Sequence, residues 1–164
     1  MNGHHMSETT KAISLSKLSG KQESCDKRWI WHNKRMNYKT GGHTKYRLMY
    51  HLVWIPKYRK RVLKGKIAER LDQLLRQCAE MNKWDIEELN IQADHVHMMV
   101  QLKTTTSVSY AMQMFKGGSS VVIRREFPEL DEFLWGDSLW SDGYFAETVG
   151  QKNEDAIRRY IQNQ

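Results

Sequence analysis

The order of hydrophobic periods along the chain predicts an α+β fold. Stretches with a period of two and stretches with a period near 3.6 follow one another as strand, helix, strand, strand, helix, strand, and one more helix closes the chain. Only a few residues separate the second and third strands, which makes them an antiparallel hairpin. That order is the ferredoxin-like (RRM-like) βαββαβ arrangement: a four-stranded antiparallel sheet with two helices on one face, plus a C-terminal helix. The other sheet face is then open to a nucleic acid or a second subunit.

Each element has its own signal. Tyr46 to Ile55 reads as the first strand, closed by Pro56. Lys66 to Lys83 reads as a helix, because Ile67, Leu71, Leu74, Leu75, Cys78 and Met81 recur at three- and four-residue steps and form one buried stripe. Trp84 to Ile91 is the second strand, irregular at Glu87-Glu88, and Asp94 to Leu102 is the third. The polar loop Lys103-Thr104-Thr105-Thr106-Ser107 offers an N-cap to the second helix, whose apolar side carries Val108, Ala111, Met112, Phe115, Val122 and Ile123. Gly117-Gly118 lies inside that helix. Each glycine there costs roughly 1 kcal/mol relative to alanine, so the pair predicts either a break or a close approach by backbone or DNA. Arg124-Arg125 and Pro128 end the helix. A loop over 129–138 leads to a fourth strand, Leu139 to Val149, bent at Asp142-Gly143. Asn153 opens the last helix, with Glu154 and Asp155 in its first turn and Arg158-Arg159 later, the sense that the helix dipole favours.

At 164 residues the prior is one domain with a real core. The formal net charge of +7 is unevenly placed: residues 1–45 carry nine Lys/Arg against three Asp/Glu, and residues 46–164 carry 17 against 16. The basic excess therefore belongs to an N-terminal extension over 1–45, expected to be flexible, in which Met1 to Met6 reads as an expression scar. Such an arm suits an anionic partner, and equally a solvated tail. The folded domain is placed at 46–164. Cys25 and Cys78 are the only cysteines, which gives neither a disulfide framework nor zinc-finger spacing. No apolar run approaches the roughly 20 residues that cross a bilayer, and no signal peptide is visible.

The chemistry centres on Asp94-His95-Val96-His97-Met98-Met99-Val100. On a strand His95 and His97 share one face while Val96 enters a core. Two such imidazoles can grip one divalent cation, or can be surface residues that happen to alternate. On the last helix Tyr160 and Gln164, four apart, share a face. A tyrosine hydroxyl is a weak nucleophile with an ordinary pKa near 10, and it becomes useful where a cation polarises the phosphate it attacks. Gln164 offers a neutral oxygen, which leaves a bound Mg²⁺ or Mn²⁺ its full charge. The run Lys57-Tyr58-Arg59-Lys60-Arg61 can hold phosphates while its ring stacks on a base, or can be a solvated turn.

Taken together, the His95-Val96-His97 strand, Leu139-Trp140-Ser141-Asp142-Gly143-Tyr144-Phe145, the ending Ile157-Arg158-Arg159-Tyr160-Ile161-Gln162-Asn163-Gln164, and Tyr50-His51-Leu52-Val53-Trp54 followed by Lys57-Tyr58-Arg59 resemble the HUH single-tyrosine transposases (TnpA) of the IS-two-hundred/IS-six-hundred-and-five insertion sequences. The resemblance covers about residues 46–164. It implies a metal-dependent enzyme that cuts single-stranded DNA at transposon ends. The residue matching Tyr160 attacks the scissile phosphate, leaving a 5′-phosphotyrosine and a free 3′-OH, and reversal by a second 3′-OH completes strand transfer. Residues matching His95, His97 and Gln164 hold the divalent metal, Mg²⁺ or Mn²⁺. The partners implied are subterminal DNA hairpins and a second subunit, in a homodimer whose composite active sites take histidines from one chain and tyrosine from the other. Gly150 is the expected hinge before the tyrosine helix. Lys57 to Arg61, Lys116 and Arg124-Arg125 are the expected phosphate contacts. The compartment expected is the cytoplasm of a bacterium or archaeon, at the nucleoid. Gln164 is the last residue, so the ligand position falls on a turn that frays. Two other readings stand beside this one. A related HUH nickase, either a rolling-circle initiator or a host-adopted transposase, would differ in target. A ferredoxin-like nucleic-acid-binding module without chemistry would display Tyr46, Tyr50 and Trp54 on the sheet face.

Overall fold

The computed structural model describes residues 38–134 and 138–164. They fall in two units, one ending at Tyr46 and one running from Arg47 to Gln164. Cys25, the Trp29-Ile30-Trp31 cluster, Trp135 and most of the basic extension lie outside the described residues. In the first unit β1 (Lys39–Gly41) and β2 (Thr44–Tyr46) pair as an antiparallel hairpin.

The second unit contains β3 (Leu48–Trp54), α1 (Lys66–Asn82), β4 (Asp85–Gln92), β5 (His95–Leu102), α2 (Val108–Glu126), a short α3 (Leu130–Leu134), β6 (Phe145–Thr148) and α4 (Glu154–Gln162). The sheet runs β4-β5-β3-β6, antiparallel throughout. This is the ferredoxin-like order that the sequence predicts. The irregularity at Glu87-Glu88 is present as a register shift between Ile86 and Glu88.

Alternation along β5 divides the molecule into two cores. Val96, Met98, Val100 and Leu102 enter the larger one with Leu52 and Trp54 of β3, Leu71 and Leu75 of α1, and Ala111, Met112, Phe115 and Ile123 of α2. Met99, on the opposite face, packs with Met49, Val149 and Ile161, with Ile157 half-buried beside them. The face expected to be open is therefore partly covered by α4, whose Ile157 and Ile161 are one turn apart. Polar contacts fasten the same helix. Asn90 Nδ2 donates to the Ile161 carbonyl at 2.7 Å, Arg158 pairs with Glu88 at 3.0 Å, and Arg47 pairs with Glu154.

Several local expectations change. Met81 was placed in the buried stripe of the first helix and is exposed. The buried line of α1 is Leu71, Leu75 and Ala79, and Met81 lies about 120° round from its middle. The glycine pair does not break α2, and nothing in the described structure comes within 4 Å of a Cβ built at Gly117 or Gly118. The loop over 129–138 contains the short α3. The fourth strand is Phe145–Thr148 alone. Trp140 bridges Pro56 and Phe145 pairs with Val53, so the segment 140–145 is two residues longer than its partner and bulges between them. The strand bends there because Leu139 and Trp140 are drawn into the larger core, where the Trp140 indole donates to Ser119 Oγ at 3.0 Å.

Candidate active site

His95 and His97 both come from β5, on the face that carries Met99, and their ring centroids are 4.9 Å apart. Asp94, at the turn after β4, takes the first histidine in hand: its carboxylate accepts from His95 Nδ1 at 2.7 Å. The carboxylate has no proton to give, so His95 carries a proton on Nδ1, and in the neutral ring the Nε2 lone pair is outward. That nitrogen lies 3.2 Å from Gln164 Oε1. The His95 proton and neighbouring Arg59 hold the Asp94 carboxyl below the usual carboxylate range, the hydrogen bond from His95 being the larger cause.

α4 brings the tyrosine. The Tyr160 ring meets His97 nearly edge-on, with centroids 5.5 Å apart and planes at 86°. The Tyr160 side chain is half-exposed. Gln164 stands two residues past the end of α4, yet its side chain reaches back to the histidine strand. Tyr160, His95, His97 and Gln164 therefore meet within one chain, whereas the resemblance implies a tyrosine lent by a second subunit. Burial, with His95 and His51 nearby, pushes His97 down to about 4, so its imidazole is neutral at neutral pH.

The donor set, two imidazole nitrogens and one amide oxygen, suits a divalent cation. His95 Nε2 and Gln164 Oε1 lie 3.2 Å apart. The edge between adjacent ligands of an octahedral ion with bonds of 2.0–2.1 Å is about 3.0 Å. Among the described residues, His, Cys, Asp and Glu alone form no group of three able to hold an ion.

Two residues without an assigned role complete the cluster. His51 of β3 is buried; its Nε2 lies 3.1 Å from His97 Nδ1 and its Nδ1 lies 2.9 Å from Glu147 Oε1. Glu147 is directly opposite His51 across the β3–β6 ladder, while His97 is its diagonal neighbour across the β3–β5 ladder. The sequence signal was His51 alternating with Met49 and Val53. Only the register makes it informative.

The expected phosphate contacts divide. Lys57 to Arg59 form a 3-10 turn beside the histidine strand, tied to it by the Arg59–Asp94 pair at 3.3 Å. Tyr58 and Arg59 hold positive φ values of 57° and 52°, a costly conformation for side-chain-bearing residues, and both side chains are presented to solvent. Lys60 and Arg61 are exposed just beyond. Lys116 was expected at a phosphate, but its ammonium donates to the carbonyls of Ser141, Asp142 and Gly143 at 2.7, 3.0 and 3.2 Å. All three of its protons are engaged within the chain, and burial lowers its pKa. Arg124 pairs with Asp131 and Arg125 is exposed; both lie on α2, across the sheet from the histidines. Gly150 follows buried Val149 and precedes α4, with nothing within 4 Å of where a Cβ would stand. The display of aromatics needed by a pure binding module is absent from β3: Trp54 is buried and Tyr50 packs against the larger core.

Comparison with known proteins gives the class: this is a DNA transposase. The family described as "Transposase IS200 like" matches residues 44–164, and the chain belongs to that family. It is 34% identical over 119 residues to the ISDra2 transposase TnpA of Deinococcus radiodurans, covering 73% of this chain and 85% of that one. It is 34% identical over 126 residues to the transposase for insertion sequence element IS200 of Salmonella typhimurium, covering 77% and 82%. A crystal structure of a candidate transposase from Deinococcus radiodurans R1 superposes with a TM-score of 0.65 at 32% identity, over 77% of this chain and 97% of that one. A tyrosine transposase bound to a REP hairpin shares the fold at a TM-score of 0.53 and 12% identity, over 74% and 70%. Among the described residues no helix is long and apolar enough to cross a membrane.

Proposed function

We propose that this transposase cuts and rejoins single-stranded DNA through Tyr160. The observation that carries the proposal is the convergence of the Tyr160 ring, His97, His95 and Gln164 at one place on the sheet. Tyr160 Oη forms a bond to the scissile phosphorus and gives up its proton. The bond from phosphorus to the 3′ oxygen breaks, and that oxygen leaves as a 3′-OH. The 5′-phosphotyrosine keeps the energy of the broken phosphodiester, so a second 3′-OH can displace Tyr160 and complete strand transfer without ATP. His95 Nε2, His97 and Gln164 Oε1 would hold a divalent ion, Mg²⁺ or Mn²⁺, which supplies charge to the phosphate oxygens. Asp94 holds the His95 ring in its productive tautomer. Arg59 and the rest of Lys57 to Arg61 bind the strand as it enters, with Tyr58 as a stacking surface. Arg125 and Arg124 extend the phosphate surface on the opposite face of the sheet.

The DNA partner in this reading carries subterminal hairpins, the protein acts as a homodimer in the cytoplasm, and Gly150 lets α4 move between partners. The test is a denaturing gel. Wild type, incubated with oligonucleotides carrying the element's ends and Mg²⁺ or Mn²⁺, gives a protein–DNA adduct, and Tyr160→Phe and His95→Ala give none. An adduct that survives Tyr160→Phe sinks the proposal. Limited proteolysis of the same samples reads the hinge: equal protection at Gly150 in free protein and complex removes it.

A further inference from the structure

His97 is usable as a metal ligand only if its outward nitrogen carries a lone pair. In water, histidine favours the tautomer with the proton on Nε2, which blocks that position. Asp94 solves the problem for His95. Nothing assigned so far solves it for His97.

Three groups beneath the site stand in a row within hydrogen-bond reach of one another. Glu147 Oε1 lies 2.9 Å from His51 Nδ1, and His51 Nε2 lies 3.1 Å from His97 Nδ1. The two imidazole planes differ by only 12°, and their centroids are 5.4 Å apart. That separation exceeds the nitrogen–nitrogen distance by about the radii of two rings, so the rings lie end to end in a common plane. This is the geometry of an in-plane N–H···N hydrogen bond rather than of face-to-face stacking.

A carboxylate can only accept, so His51 must present its proton at Nδ1. In the neutral ring His51 Nε2 is then a lone pair and accepts from His97 Nδ1–H. With His51 in its other tautomer, a ring lone pair would face the carboxylate. We infer that Glu147 and His51 are positioning residues, a carboxylate–imidazole relay that fixes His97 as the Nδ1–H tautomer and turns its Nε2 lone pair toward the metal position. The inference rests on the metal-holding role proposed above for His97. The two histidines of the strand are thereby oriented by different means, one by its sequence neighbour Asp94 and the other through a buried histidine on the adjacent strand. Orienting partners of this kind are typically worth 10- to 100-fold in metal affinity.

The experiment reads the tautomer directly. Nitrogen-15 NMR of the histidine side chains in metal-free protein shows His97 as the Nδ1–H form in wild type. His51→Phe, which keeps an aromatic ring and removes the acceptor, moves His97 toward the Nε2–H form. It also weakens Mn²⁺ binding by about 10- to 100-fold in titrations of the DNA-free protein. His51→Gln, which can place an amide oxygen near the lost Nε2, restores most of both. Glu147→Gln, at an exposed strand position, gives a mixture of tautomers and remains informative if His51→Phe fails to fold. An Nε2–H form of His97 in wild type, or an unchanged Nδ1–H form in both His51→Phe and Glu147→Gln, overturns the inference. Absence of Mn²⁺ binding in wild type would instead remove the metal reading, and the tautomer spectra would still decide the relay.

Discussion

At His97 the same burial bears on stability and on the ligand role proposed for the residue. Its imidazole titrates near 6.5 in an unfolded chain and about 4 in the fold, because burial and two neighbouring histidines oppose its charge. Between those values the unfolded chain binds a proton that the folded one refuses, so acid favours unfolding. Stability is complete above about pH 6.5 and falls as the pH drops toward 4, by about 3 kcal/mol from this residue. Urea titrations of chelator-treated protein at pH 7.5, 5.5 and 4.0 check this. His97→Gln flattens the slope, and a slope that persists unchanged assigns the effect to other groups. The fitness of His97 as a ligand at neutral pH has the same origin. Lys116 is the counter-example. From the sequence it is a basic residue near others, but in the fold it clamps the carbonyls at 141–143 where the chain bulges away from β3. Charge alone does not distinguish a phosphate contact from a loop clamp.

At the scale of elements, α2 is weaker than its place requires. It runs unbroken through Gly117-Gly118, and neither position has a neighbour within 4 Å of a Cβ. Both glycines hold ordinary helical conformations in which alanine fits without strain. Gly117→Ala and Gly118→Ala are each expected to stabilise the protein by about 0.5–1 kcal/mol through helix propensity and unfolded-chain entropy. Thermal melts of the two variants check it, and a loss of stability in either would show that a side chain is resisted there. If the glycines serve a close approach by DNA, the same variants bind DNA more weakly while melting higher. α4 is secured differently: its one fully buried side chain is Ile161, and the Arg47–Glu154 pair, Arg158, Gln162 and the Asn90–Ile161 bond add polar attachments. A helix held by one buried apolar side chain and mostly polar contacts suits the movement proposed about Gly150.

For the whole molecule, both cores and every residue of the candidate site fall within residues 47–164. Residues 47–164 are therefore proposed as the catalytic domain and the preceding residues as a separate extension. The fragment 47–164 is expected to unfold in one cooperative transition and to form the same tyrosine adduct as the full chain. Loss of the transition would place part of the core before Arg47, whereas loss of the adduct alone would assign DNA binding to the basic extension. Salt titrations separate these roles further, since a phosphate-binding arm steepens the dependence of affinity on salt.

Element types and their order were legible in the sequence because the periods of two and 3.6 are written residue by residue. The periods show only that His95 and His97 share a strand face and that Tyr160 and Gln164 share a helix face, and it is the family resemblance that singles these four out as a site. The bend at Asp142-Gly143 and the irregularity at Glu87-Glu88 left similar local traces. Tertiary structure alone decided that α4 lies over the histidine face, that Glu147 and His51 stand behind His97, and that Lys116 is engaged within the chain. Each of these depends on which strand lies beside which and in what register. Pairing is fixed by long-range packing, and a sequence pattern records only the face on which each residue stands.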